Sequence, residues 1–382
     1  MTLRILSRLF AIVAMIFCHV AFRQICVCAD SLTNLPAERA VTHQVQTAEQ
    51  IHALITSGKI SPGDTVVWAN GDYSDVTLKL DGVNGTPSAP IRLRTATPGG
   101  VKLRGESRFH IGVQWWVIEG FHFAGQDGQF NSYNTVELRG RNNVGAQHVR
   151  LTDCAFTNLT PEDSSSKWIQ IFGRHNTIDH CFFSGKSSRG ALITVELGYL
   201  SDSETAEHRI AWNHFANFAP QDGTDNETIR IGSSSDQHKP ATCVVERNLF
   251  TRCNGENEII TNKSGFNTFR SNTFRQCSGA LVLRHGHHAR VEGNYFIGAG
   301  ADDAGGIRVS DSHHVIVNNY LQDLTGTTWN AAFSILGGKK SPARPVAATR
   351  RSTGSWWRTI PSSTANAASF STTKKDPERR PV

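Results

Sequence analysis

From residue 116 onward the chain repeats one unit: a short stretch of alternating apolar and polar positions, then a small or polar residue, then an aromatic. Copies lie at residues 117–123, 149–156, 177–183, 210–215, 244–250, 268–274, 291–296 and 315–320. Alternation of period two predicts a strand with one buried face. The later aromatics, at 250, 274, 296 and 320, fall 22–24 residues apart, the spacing of a short solenoid coil. The earlier units are the same coil with loops inserted. Strands this short cannot bury an apolar face alone, but stacked in register they share one continuous core. The pattern predicts an all-β protein, a right-handed parallel β-helix. Leucine-rich repeats do not fit, because the LxxLxL signature is absent; a β-sandwich is the alternative that the repeat disfavours. The Asn before each later aromatic suits a left-handed turn and can stack into hydrogen-bonded ladders.

The flanks read differently. Thr47-Ala48-Glu49-Gln50 is a capping box leading into Ile51, Leu54 and Ile55, which predicts a short N-terminal capping helix over the open end of the sheets. Residues 1–29 carry Arg4 and Arg8, an apolar run at 9–22 and Val27-Cys28-Ala29 before Asp30, the pattern of a cleaved signal peptide. A retained anchor is the alternative, but the apolar run is short for a membrane span. The protein is thus expected to be secreted or periplasmic, with no membrane contact after signal removal. Residues 30–337 hold the β-helix domain. Residues 338–382, rich in Lys, Arg, Ser, Thr, Ala and Pro, are expected to form a basic disordered tail.

Charge changes the picture less than the total suggests. The net +6 comes from the flanks: residues 1–29 have three Arg and no acid, and residues 338–382 have ten Lys or Arg against two acids. Residues 30–337 are left at −5, which argues against nucleic-acid binding, so an anionic partner would have to be held by local cations. Cys154, Cys181, Cys243, Cys253 and Cys277 show no disulfide framework and no CxxC pair, and read as small buried hydrophobes.

Three segments are dense in reactive groups: Asn226-Glu227-Thr228-Ile229-Arg230-Ile231-Gly232, Gly255-Glu256-Asn257-Glu258-Ile259-Ile260-Thr261-Asn262-Lys263-Ser264, and Leu281-Val282-Leu283-Arg284-His285-Gly286-His287. On an extended strand Glu256 and Glu258 would project from one face, and a hard cation such as calcium would relieve their repulsion, with Asn226 as a further oxygen donor. Lys263 and Arg284 are about one coil apart and would lie side by side, where Arg and a cation would favour a neutral, basic lysine. The bland alternatives are two solvated acids and two solvated cations on a solenoid surface.

These segments, with Asn70-Gly71-Asp72-Tyr73, Ala89-Pro90-Ile91 and Gly305-Gly306-Ile307-Arg308, resemble polysaccharide lyase family 6, which contains alginate lyases and chondroitinase B. The resemblance runs from about residue 45 to 337. It implies Lys263 as the base, Arg284 as the acid or charge stabiliser, and Asn226, Glu256 and Glu258 as holders of Ca2+. It further implies substrate contacts from Arg230, Arg308 and His285. The implied reaction is β-elimination on a uronate polymer, alginate or a dermatan-type glycosaminoglycan, giving a 4,5-unsaturated sugar. Members of the family continue for further coils where this chain enters its basic tail, so later coils are expected to be missing; a frameshift would account for the tail.

Two other classes remain open. A β-helix hydrolase of the polygalacturonase type would need paired acids, for which Asp302-Asp303 and His285-Gly286-His287 stand in the reverse of the usual order. A non-catalytic carbohydrate-binding β-helix would bind the polymer without turnover. The histidines 285, 287 and 288 read as cleft or turn residues rather than a transition-metal site, since no carboxylate or Cys has ligand spacing with them.

Overall fold

The computed structural model describes residues 40–125, 134–159 and 165–337, with the backbone of two further strands, Trp356–Arg358 and Ser371–Thr373. The described residues from 42 onward belong to one compact unit. The segment 1–29, read as a signal peptide, and most of 338–382 lie outside the described residues. Two pieces of that tail nevertheless extend the sheets: Trp356–Arg358 pairs with Val315–Val317, and Ser371–Thr373 with Phe333–Leu336. Composition alone gave no sign of either.

Three parallel sheets of 12, 11 and 10 strands run the length of this unit, each strand pairing with its counterparts one coil before and after. This is the right-handed parallel β-helix that the repeat predicts. Most strands are only three to five residues long, so stability comes from stacking. The clearest product of the repeat is an inner file of phenylalanines. Phe123, Phe156, Phe183, Phe215, Phe250, Phe274 and Phe296 stack with successive centroids 4.7, 5.0, 4.9, 4.9, 4.6 and 4.7 Å apart. The file ends where Phe296 pairs with Leu321; Tyr320, the aromatic of the last repeat, pairs with half-exposed Tyr295 on the other face.

The asparagines behave otherwise than expected. Asn213, Asn248, Asn272, Asn294 and Asn319 do form a buried ladder, each of the first four donating Nδ2 to the next Oδ1 at 2.9–3.0 Å. Each Nδ2 also reaches a carbonyl of an earlier coil, as Asn272 does to Val245 at 2.9 Å. The left-handed turn, however, falls on the preceding residue: Trp212, Arg247, Ser271, Gly293 and Asn318 have φ of 55–61°. The Asn is thus freed to point inward and satisfy the backbone at the corner.

The N-terminal helix, Ala48–Thr56, buries Ala48 and Ile51 and packs against Thr42–Val45 and Thr77–Leu80, each the first strand of its sheet. Thr47 Oγ1 accepts from Gln50 N at 3.4 Å, and His52 Nε2 accepts from the edge amide of Lys79 at 3.1 Å. That second bond takes up a donor that an open sheet edge would otherwise present. All five described cysteines are buried and free, as read.

Candidate active site

The reactive segments meet on the third sheet, on the successive strands Ile229–Ile231, Glu258–Lys263, Gly279–His285 and Ala304–Val309. Register places Arg230 beside Thr261, Thr261 beside Val282, and Val282 beside Arg308. The pairing slips between Asn262 and Lys263, so Lys263 stands opposite His285, and Arg284 is the extra residue of a bulge. Lys263 and Arg284 are therefore not paired side by side as expected. Arg284 instead turns outward, its side chain 48% exposed, while Lys263 is buried.

Glu258 is the hub. Its Oε1 accepts from Arg284 Nη1 at 2.9 Å and from Arg308 Nη2, and its Oε2 accepts from Thr261 Oγ1 at 2.6 Å. Glu256 lies in the bend before the strand, off the shared strand face that spacing predicted. Its Oε1 accepts from the backbone N–H of Asn226 at 3.2 Å. Burial, then the charges of Glu227 and Glu258, push its carboxyl up to about 8. Asn226 is fully buried, its Oδ1 accepting from Gly190 N at 3.0 Å and its Nδ2 donating to the Asp222 carbonyl at 3.3 Å.

Glu227, to which the resemblance assigns no role, is central to the cluster. It is buried, its Oε1 lies 3.7 Å from Lys263 Nζ, and its Oε2 has no hydrogen-bond partner. Burial raises its carboxyl, against the opposing pull of the Lys263 charge. The Glu-x-Glu spacing of Glu256 and Glu258 points only to that pair. The place of Glu227 one coil before the Glu258 strand was the available signal.

The remaining residues divide by exposure. Arg230 is held by Asp225 at 3.2 Å and Glu196 at 3.8 Å. His285 is buried and, by burial first and then the charges of Arg284 and Lys263, brought down to about 4, so the ring is neutral near pH 7; its Nδ1 has no partner. Arg308 is 2% exposed rather than solvent-facing, with Nε and Nη1 unpartnered and its guanidinium 5.5 Å from the Trp329 ring. Among the described residues no three His, Cys, Asp or Glu side chains converge in ligand geometry. Both oxygens of Glu258 already accept hydrogen bonds. The expected set of Asn226, Glu256 and Glu258 is brought into one neighbourhood without closing into a ligand cluster.

The arrangement thus has a buried amine on a carboxylate, a second acid gripped by two guanidiniums, and a third acid crowded enough to hold its proton. It can move a proton at Lys263 and grip an anion with Arg284 and Arg308.

Residues 45–349 match the Chondroitinase B family. Among solved structures, the alginate lyase AlyGC of polysaccharide lyase family 6 is 34% identical with a TM-score of 0.73, over 80% of this chain and 42% of its own. A mannuronic acid-specific family 6 lyase from human gut microbiota is 28% identical with a TM-score of 0.73, over 82% of this chain and 72% of its own. A further family 6 alginate lyase, in complex with a trisaccharide, is 26% identical with a TM-score of 0.64, over 80% and 65%. Among curated proteins none matches. The chain spans less than half the length of AlyGC. With its family match and its β-helix in agreement, the chain belongs to the chondroitinase B family, polysaccharide lyase family 6.

Proposed function

We propose that the protein cleaves a uronate-containing acidic polysaccharide, alginate foremost, by calcium-assisted β-elimination outside the cytoplasm. The observation that carries this reading is Lys263 on Glu227, at the far end of the same strand as Glu258, which Arg284 and Arg308 grip from the next two strands. In the proposed reaction Lys263 Nζ accepts the proton from C5 of the uronate. The C5–H electrons form the C4=C5 double bond and the C4–O bond breaks. An arginine does not give up its proton, so Arg284 steadies the negative charge on the leaving oxygen instead of serving as the acid. Arg308 and Arg230 are offered as contacts to substrate carboxylates, and neutral His285 as a hydrogen-bonding wall.

The donor set suits a hard cation. Glu227 Oε2 is buried without a partner, Glu256 is crowded by two acids, and Asn226 Oδ1 keeps one lone pair free beyond its bond from Gly190. Asn226, Glu227 and Glu256 would hold calcium, with Glu258 joining on release of one arginine. Calcium there would act as a Lewis acid on the substrate carboxylate. The signal-like residues 1–29 and the size of the polymer support a secreted or periplasmic location. Alginate is favoured by what the similar solved structures are named for; a dermatan-type polymer is the alternative.

The test is ultraviolet absorbance of the unsaturated product on alginate and on dermatan sulfate, with calcium or chelator, for wild type and Lys263→Ala. Calcium-dependent absorbance reduced about a hundredfold or more in the variant supports elimination by Lys263. Folded wild-type protein giving no absorbance on any uronate polymer refutes it.

A further inference from the structure

Resting on the lyase reading but reaching beyond the reacting centre, we infer that the cavity walled by Trp329 is a separate pyranose subsite, gripping one sugar ring of the polymer by its hydroxyl edge. The cavity, about 320 Å³, is lined by Asn257, Asp303, Thr327, Thr328, Trp329 and Asn330. It adjoins the charge cluster through Asn257, which sits between Glu256 and Glu258 in the chain, and through Arg308, which links Glu258 to the Trp329 ring.

Three features point to a sugar. Trp329 is 53% exposed, an indole left open where the fold needs no packing from it. A pyranose offers a face of C–H bonds that stacks on such a ring, while its hydroxyls bond at the edge. Asn330, which lines the cavity, is 95% buried, and its Oδ1 is an acceptor without a partner. Its Nδ2 donates to Asp303 Oδ2 at 2.5 Å, which fixes the amide, and Asp303 is itself an acceptor on the same wall. The two threonines add hydroxyls. A wall of acceptors selects donors, so the site takes hydroxyls. The Asp303 carboxylate repels a uronate carboxylate, so the ring sits with its acid group turned toward Arg308 and away from Asp303. The cavity therefore reads the ring's hydroxyl arrangement, and hence which uronate occupies it.

The test uses full-length protein, folded by circular dichroism, as wild type, Trp329→Ala, Trp329→Phe and Asn330→Ala. It combines kinetics on alginate with calorimetric binding of saturated oligomannuronate and oligoguluronate to each protein in a Lys263→Ala background. The expected result is KM and Kd raised about threefold to tenfold in Trp329→Ala with kcat little changed, largely restored in Trp329→Phe. Asn330→Ala is expected to narrow the preference between the two oligomers. Active wild type with unchanged KM and Kd in Trp329→Ala overturns the subsite and leaves the lyase reading standing. Oligomer binding weakened in Trp329→Ala, from a wild type with no turnover, keeps the subsite and overturns the lyase reading. No binding by any form overturns both.

Discussion

Glu256 offers a test of the crowded acid cluster that needs no substrate. Its carboxyl holds its proton up to about 8, whereas an unfolded glutamate loses it near 4.5. Between those values the folded protein binds more protons than the unfolded chain, so this group makes stability fall as pH rises through the window, with the full penalty present above about 8. The shift corresponds to an upper bound of roughly 5 kcal/mol at 1.36 kcal/mol per unit. The residue is only partly buried, so solvent screening cuts this to about 2 kcal/mol. Glu256→Gln keeps the shape and an oxygen to accept from Asn226 N, and removes the charge. In chelator, it should melt about 3 °C above wild type at pH 9, with no advantage near pH 5. Calcium should raise wild type at pH 9 more than it raises the variant. The assay is thermal denaturation by circular dichroism from pH 5 to 9, comparing the two proteins so that slopes from other groups cancel. Equal pH dependence in both, or a variant less stable at pH 9, would refute the account of three mutually repelling acids.

Further outcomes follow from other parts of the molecule. Glu227→Gln should weaken calcium binding about tenfold to a hundredfold, measured by calorimetry, because it neutralises the buried acid whose Oε2 lacks a partner. Asn272→Ala removes the acceptor of Asn248 N and the donor to the Val245 carbonyl, both buried; it should cost about 2–4 kcal/mol and lower Tm by roughly 3–6 °C. His208 is fully buried and brought down to about 3 by burial, its Nδ1 accepting from Asn176 N at 3.1 Å. The unfolded chain protonates this ring below about 6.5 and the folded one does not, so stability is lost as pH falls from there toward 3. His208→Asn should flatten the acid limb of a Tm-against-pH curve whatever it does to the plateau.

The sequence could reveal what repeats. Phe123 to Phe296 recur at strand spacing because each must fill the same inner position, and that recurrence predicted both the coil and its core. The positions that break the repeat were illegible for the same reason. Arg284 owes its outward turn to a one-residue bulge that no periodicity encodes, and Glu256 leaves the strand at a bend that the Glu-x-Glu spacing read as extended. Arg308 has the alternation of a surface residue, yet Glu258, two coils earlier, and Trp329 enclose it. Trp329 and Asn330 lie in a short 3-10 turn, Thr328–Asn330, with no counterpart in other coils. Contacts made across coils depend on register, and register is a property of the stack rather than of any one segment.

The slipped pairing between Asn262 and Lys263 bears on how such a protein can change over evolutionary time. The charged cluster draws Asn226, Glu258, Arg284 and Arg308 from four consecutive rungs, each about 4.8 Å from the next. Duplicating or deleting one rung between Asn226 and Arg308 would therefore move the acids away from the cations in a single step. Whole rungs can be gained elsewhere along the stack, and loops can lengthen at its corners, without touching that spacing. Length and corner loops are free to diversify among descendants of this chain, while the rung count across the cluster is locked.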